Sequence, residues 1–161
     1  MTEFLAAIFR ISLIWTCLEV VIFTSIILFA IRKNLLSSIL NEDGTYKEKL
    51  SPQGRITALL MFVGVTILPV MFDVVVLGRL ETPIRFSEYF IVNFWLLFVL
   101  FLWDTIIIDF FVLVKWRPRF LIVSEKLCAK SMKSHILSSI RLQLFPMVLI
   151  AFTISAVFYY I

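Results

Sequence analysis

The sequence predicts an all-α integral membrane protein, a four-transmembrane-helix bundle with both termini outside. Three observations carry this reading: an apolar content beyond that of soluble chains, four runs long enough to cross a bilayer, and basic residues gathered in two of the loops. Of 161 residues, 61% are hydrophobic and 16% aromatic, and the mean hydropathy is +1.03. A soluble domain is only about half apolar, even with glycine counted. Crossing a hydrocarbon core takes about 20 residues of helix at ~1.5 Å rise. Runs 4–31, 56–77, 89–114 and 142–161 meet that length, so the chain reads as a single transmembrane domain.

The first run has no basic n-region, contains Glu19 and outlasts an h-region, so a retained span is expected and not a signal peptide. Cys17 lies mid-span and Cys128 in a loop, without a CxxC or Cys/His cluster. Both are expected to be reduced and packed, with no zinc site or disulfide.

Orientation follows from Lys and Arg. The segment 32–55 carries Arg32, Lys33, Lys47, Lys49 and Arg55, and the segment 115–141 carries Lys115, Arg117, Arg119, Lys126, Lys130, Lys133 and Arg141. The opposite side has only Arg10, Arg79 and Arg85. The positive-inside rule makes both long loops cytoplasmic. The net charge of +4 then calls for no nucleic acid. Anionic cytoplasmic-leaflet lipid is the expected counterpart of Lys115, Arg117, Arg119, Lys126, Lys130 and Lys133, at about 1 kcal/mol per basic residue.

Within the first long loop, Asp43-Gly44 suits a tight turn, and Ser51-Pro52 suits the start of the second helix. Asn41, Glu42 and Asp43 lack the spacing of a calcium loop. After the third span, KWRPRF offers an interfacial Trp116 and a Pro118 that should end the helix. The next stretch has Ser124 as a cap and Glu125 at the positive end of the dipole, with Ala129, Met132, Ile136 and Ile140 on one face. It suits an amphipathic helix in the headgroup layer, a helix running directly into span four, or an ordinary basic connector. His135 reads as an interfacial side chain, and Pro146 as a residue of the first turns of span four. No GxGxxG, P-loop, HExxH or GxSxG occurs.

The misplaced residues are Glu19, Asp73, Asp104 and Asp109, all inside spans. A central aspartate costs ~2.5 to 3.5 kcal/mol on insertion scales and each large apolar residue returns ~0.3 to 0.6, so the spans still insert. The carboxyls should face the bundle. At helical spacing, Ser12, Trp15, Thr16 and Glu19 form a stripe on span one, and Thr66, Pro69 and Asp73 one on span two. Pro69 frees the Val65 carbonyl near mid-membrane. On span three Asn93 aligns with Asp104, and Thr105 with Asp109. Asp104 and Asp109 themselves diverge by about 140° at ~100° per residue, so different neighbours are expected for each. Trp15, Trp95 and Trp103 read as packing or interface residues.

Counting to the charged flanks puts Glu19 roughly 18 Å and Asp104 roughly 15 Å from the cytoplasmic boundary, with Asp73 in the outer third and Asp109 in the inner third. Arg10 is the one cation deep enough to reach a carboxylate, and Asp73 is nearest in level. One arginine cannot neutralise four acids. At least three carboxyls must therefore be neutral, hydrated, or holding a proton or a hard cation. The other reading makes them structural hydrogen bonders, in bonds that average ~0.6 kcal/mol in membranes.

Leu18-Glu19-Val20-Val21 is similar to a short first-helix segment of the small multidrug transporters, where a membrane glutamate couples protons to drugs. The likeness spans four residues, the expected orientation and loops differ, and no role is carried over from it.

The expectation for function is a proton- or cation-handling transport or channel component, with no cofactor and no bound metal. Four spans rarely enclose a pathway alone, so a homo-oligomer or a membrane protein partner is implied. The competing expectation is a non-enzymatic membrane subunit or regulator. An enzyme ranks third, since no nucleophile and base pair is present and only a metal-assisted lipid head-group reaction at Asp104 or Asp109 would serve.

Overall fold

The computed structural model describes the backbone of residues 2–41, 47–80, 83–116 and 132–161. Among these the chain is helical with no strand, and four helices are long and apolar enough to cross a membrane. They are α1 (Thr2–Arg32), α2 (Pro52–Val75), α3 (Phe86–Leu102) and α4 (Met132–Tyr160), and α3 continues without a break into a π-helix, Trp103–Trp116. These four apolar helices mark an integral membrane protein.

Each helix end has a local cause. At the end of α1, Asn34 takes the left-handed conformation (φ 53°). Its N–H donates to the Ile31 carbonyl (2.9 Å), and that of Leu35 to the Ala30 carbonyl (2.9 Å). This is a Schellman closure, with asparagine in the place usually held by glycine. The chain then makes a short 3-10 turn, Leu36–Ser38. Ser51 caps α2 by accepting from Gly54 N–H at 3.1 Å, and Pro52 occupies the first turn, where its missing N–H costs nothing. Glu88 closes the start of α3 by accepting from the Arg85 N–H at 2.8 Å.

Two boundaries differ from expectation. The second span starts at Pro52 and not at residue 56, because the Ser51 cap recruits the polar first turn into the helix. Helix α4 starts at Met132, ten residues before its apolar run, so Pro146 lies well inside it and not in its first turns. Between the alternatives for the basic stretch before span four, residues 132–141 run helically into the span. Residues 117–131, with Arg117, Arg119, Pro118, Ser124, Lys126 and Lys130, lie outside the described residues, as do 42–46 of the first loop. The side chains of Lys133 and His135 lie outside them too.

Helix α3 is the centre of the bundle, packing against α1, α2 and α4. Its face Val92, Leu96 meets Ile8 of α1 and Phe72 of α2 in one core. Its Leu97 and Phe101 meet Met147 and Ala151 of α4 in another. Ala151 and Ser155, one turn apart and fully buried, let α4 approach α3 closely. Along α3, Phe90, Phe94 and Phe98 stack at successive turns, with ring centroids 6.0 and 5.7 Å apart. Lipid-facing positions such as Ile14, Leu60 and Phe145 are apolar and exposed, as they must be in hydrocarbon.

Candidate functional site: intramembrane carboxyls

On α1, Ser12, Thr16 and Glu19 are all buried, forming the inward stripe that helical spacing predicts. Ser12 and Thr16 spend their hydroxyls on their own helix, donating to the Phe9 carbonyl (2.8 Å) and the Ser12 carbonyl (2.7 Å). Glu19 is 0% exposed, and among the described residues neither carboxyl oxygen has a hydrogen-bond partner. An ionised carboxylate with no donor is the most expensive group an apolar interior can hold, so this pocket accommodates the neutral acid.

Asp73 of α2 belongs to a separate, buried cluster that ties three helices together. Asn93 of α3 donates through Nδ2 to Asp73 Oδ2 (2.8 Å), and the same nitrogen lies 3.2 Å from Ser155 Oγ of α4 and 3.1 Å from the Tyr89 carbonyl. The Ser155 hydroxyl itself donates to the Ala151 carbonyl at 2.7 Å. Asp73, Asn93 and Ser155 are all fully buried. The second oxygen of Asp73 and the side-chain oxygen of Asn93 have no partner. Asp73 takes its hydrogen bond from Asn93 and not from Arg10, whose side chain is exposed. The partner of Asn93 is thus an acid on another helix, Asp73 of α2. Thr66, one turn before Pro69 on the same helix, is half-buried and bonds its hydroxyl back to the Phe62 carbonyl at 2.9 Å.

The third location is the C-terminal end of span three, and here the structure departs from a geometric expectation. Trp103–Trp116 is a π-helix, whose i→i+5 hydrogen bonds widen the turn to about 4.4 residues. Five residues then come to within about 50° of one another, where an α-helix would hold them about 140° apart. Asp104 and Asp109 accordingly share a face and interact with each other, and Gln143 of α4 turns its side-chain amide toward Asp104. Thr105, between them, is 2% exposed and its hydroxyl has no partner. Lys115 lies further along, its ammonium 5.7 Å from the centre of the Phe110 ring.

The tryptophans do more than pack. Trp15 donates to the Leu68 carbonyl at 3.1 Å, next to the buried Pro69 that interrupts the α2 ladder. Trp103 donates to Thr24 Oγ1 at 2.9 Å, pinning the start of the π-helix to α1. Trp95 Nε1 is buried without a partner. Cys17, expected to be packed, is exposed on α1.

Sequence reasoning missed Gln143, Ser155 and Thr24. A glutamine at the head of an apolar run and a serine one turn after a buried alanine were the available signals. Among the described residues no group of three or more His, Cys, Asp or Glu side chains is placed to hold a metal ion. No family model, no curated protein and no solved structure matches this chain.

Proposed function

We propose that this chain is a proton- or cation-handling component of a membrane transporter or channel, working through protonatable carboxyls inside the bilayer. The observation that carries the reading is the approach of Asp109 to Asp104 on one face of a π-helix, opposite Gln143. An acid beside another acid in a medium of low dielectric is a place where a proton or cation is readily held. Glu19, buried without a donor, is a second proton-holding position further out. In this reading both termini are outside, the two long loops are cytoplasmic, and the membrane is the cell membrane with anionic lipid against the basic loops. Four helices per chain favour a homo-oligomer as the working unit.

The test is flux in liposomes. Asp104→Asn and Glu19→Gln, each inserting normally, should abolish dissipation of an imposed pH or cation gradient. Unchanged flux in both variants would count decisively against the proposal.

A second reading, a non-enzymatic membrane subunit, is favoured by one observation. The Asp73, Asn93 and Ser155 cluster is apart from the Asp104 and Asp109 pair, and it ties helices together as a structural clamp would. Purification in mild detergent that recovers a stoichiometric membrane partner, together with no flux from the chain alone, would select this reading.

A further inference from the structure

The hydrogens of the Asp73, Asn93 and Ser155 cluster can be assigned one by one. A side-chain amide brings two N–H donors and one acceptor oxygen. Three oxygens surround Asn93 Nδ2: Asp73 Oδ2 at 2.8 Å, the Tyr89 carbonyl at 3.1 Å and Ser155 Oγ at 3.2 Å. The Tyr89 carbonyl has no hydrogen, and the Ser155 hydroxyl gives its own to the Ala151 carbonyl at 2.7 Å. Both therefore only accept, which fixes the nitrogen of Asn93, and not its oxygen, on their side. One N–H goes to Asp73, and the other is shared by Tyr89 and Ser155. Two oxygens remain, Asp73 Oδ1 and Asn93 Oδ1, both buried and without a hydrogen-bond partner among the described residues.

These two oxygens are the free halves of groups already bonded to each other. Asn93 Oδ1 shares its carbon with the donating Nδ2, and Asp73 Oδ1 shares its carbon with the accepting Oδ2. A carboxylate here would leave two acceptors with nothing between them, and a buried charge on a single bond from a neutral amide. We infer that Asp73 is a carboxylic acid, binding one proton on Oδ1 and donating it to Asn93 Oδ1 to close a reciprocal two-bond ring between α2 and α3. The proton comes from water, the O–H bond forms on Asp73 Oδ1, and the carboxylate charge is cancelled. Every side-chain polar atom of Asp73, Asn93 and Ser155 then has a partner, as buried polar groups require.

Nothing else described at this end of the bundle takes the place of the proton. Arg10, Arg79 and Arg85 are exposed. Ile8 of α1, Phe72 of α2, Leu77 after it, and Val92 and Leu96 of α3 make the adjoining core apolar. Tyr89 stacks its ring on Phe158 of α4, and Glu88 accepts from the Arg85 N–H. In such a setting the neutral acid is the form that the interior tolerates, and its bonds meet no competition from water. One proton thus completes the tie between α2 and α3, which Ser155 extends to α4. The pairing goes beyond the proposed function and does not depend on it, since the ring closes whichever species the chain moves.

The test is infrared spectroscopy of the full chain in lipid bilayers at neutral pH, as the difference between the unmodified protein and Asp73→Asn. That exchange keeps a donor in the ring, because an amide N–H stands where the acid O–H stood. The expected result is a protonated-carboxyl stretch that the variant loses. In Asn93→Val the same stretch should remain and move to the higher frequency of an unbonded acid. No stretch lost in Asp73→Asn would mean a carboxylate and overturn the inference. A stretch unmoved in Asn93→Val would place the proton elsewhere and overturn it too, as would replacement of the stretch by carboxylate bands on adding Na+ or Ca2+, the mark of a cation site. Solid-state NMR of the unmodified chain, labelled with 13C-aspartate and 15N-asparagine, gives a check that needs no variant. The Asp73 carboxyl carbon should have the shift of an acid and a cross-peak to the Asn93 side-chain nitrogen, and the shift of a carboxylate would overturn the pairing.

Discussion

Glu19 and Asp73 are both fully buried acids, yet their surroundings assign them different costs. Glu19 has no donor, so Glu19→Met should stabilise the bundle against heat in detergent by about 1–3 kcal/mol, the cost of an unpaired buried polar group, while abolishing flux. A fall in stability would mean that Glu19 makes a bond essential to packing. Asp73 has one donor, and Asn93→Val removes it. That change should lower stability by about 1–3 kcal/mol, and a double-mutant cycle with Asp73→Val should return a coupling near 0.6 and below about 1.7 kcal/mol. Coupling of zero would show that the clamp is not holding the helices. At this scale the sequence was legible where a single helix decides. The inward stripe of Ser12, Thr16 and Glu19 follows from spacing alone. It was illegible where two helices decide: nothing local to Asn93 says that its partner is Asp73 of another span, or that Ser155 waits on α4.

Among elements, the four spans were legible because insertion depends on summed hydropathy, which a sequence displays directly. Their ends shifted where capping extended them: Ser51 opens α2 before its apolar run, and α4 begins in the basic stretch. The π-helix was illegible because reading a face from spacing assumes ~3.6 residues per turn, and Trp103–Trp116 departs from that without any proline or glycine to signal it. That one assumption is what separated Asp104 from Asp109. The joint between the first loop and α2 offers a clean test of close packing. A Cβ at Gly54 would stand 2.5 Å from the Ser38 carbonyl oxygen, a backbone atom of the 3-10 turn that cannot rotate aside. Gly54→Ala should therefore lower thermal stability by about 1–3 kcal/mol, whereas Gly64→Ala, which meets only the tip of the Ile26 side chain at 3.4 Å, should be nearly neutral. Equal effects at the two glycines would contradict this account of how α2 is seated.

For the whole molecule, the carboxyls lie on α1, on α2 and on the π-helical continuation of the central α3. Orientation is open to direct measurement in the background Cys17→Ser, Cys128→Ser. Lys49→Cys should react with an impermeant thiol reagent only when the cytoplasmic face is opened, and reaction from outside intact cells would reverse the assigned topology. The central claim, that protonatable carboxyls inside the membrane move protons or cations, meets its most direct test in reconstituted liposomes carrying an imposed gradient. The account predicts that the unmodified chain dissipates the gradient and that Asp104→Asn and Glu19→Gln leave it standing. Equal rates from all three proteins, or no rate above protein-free liposomes from any of them, would contradict it.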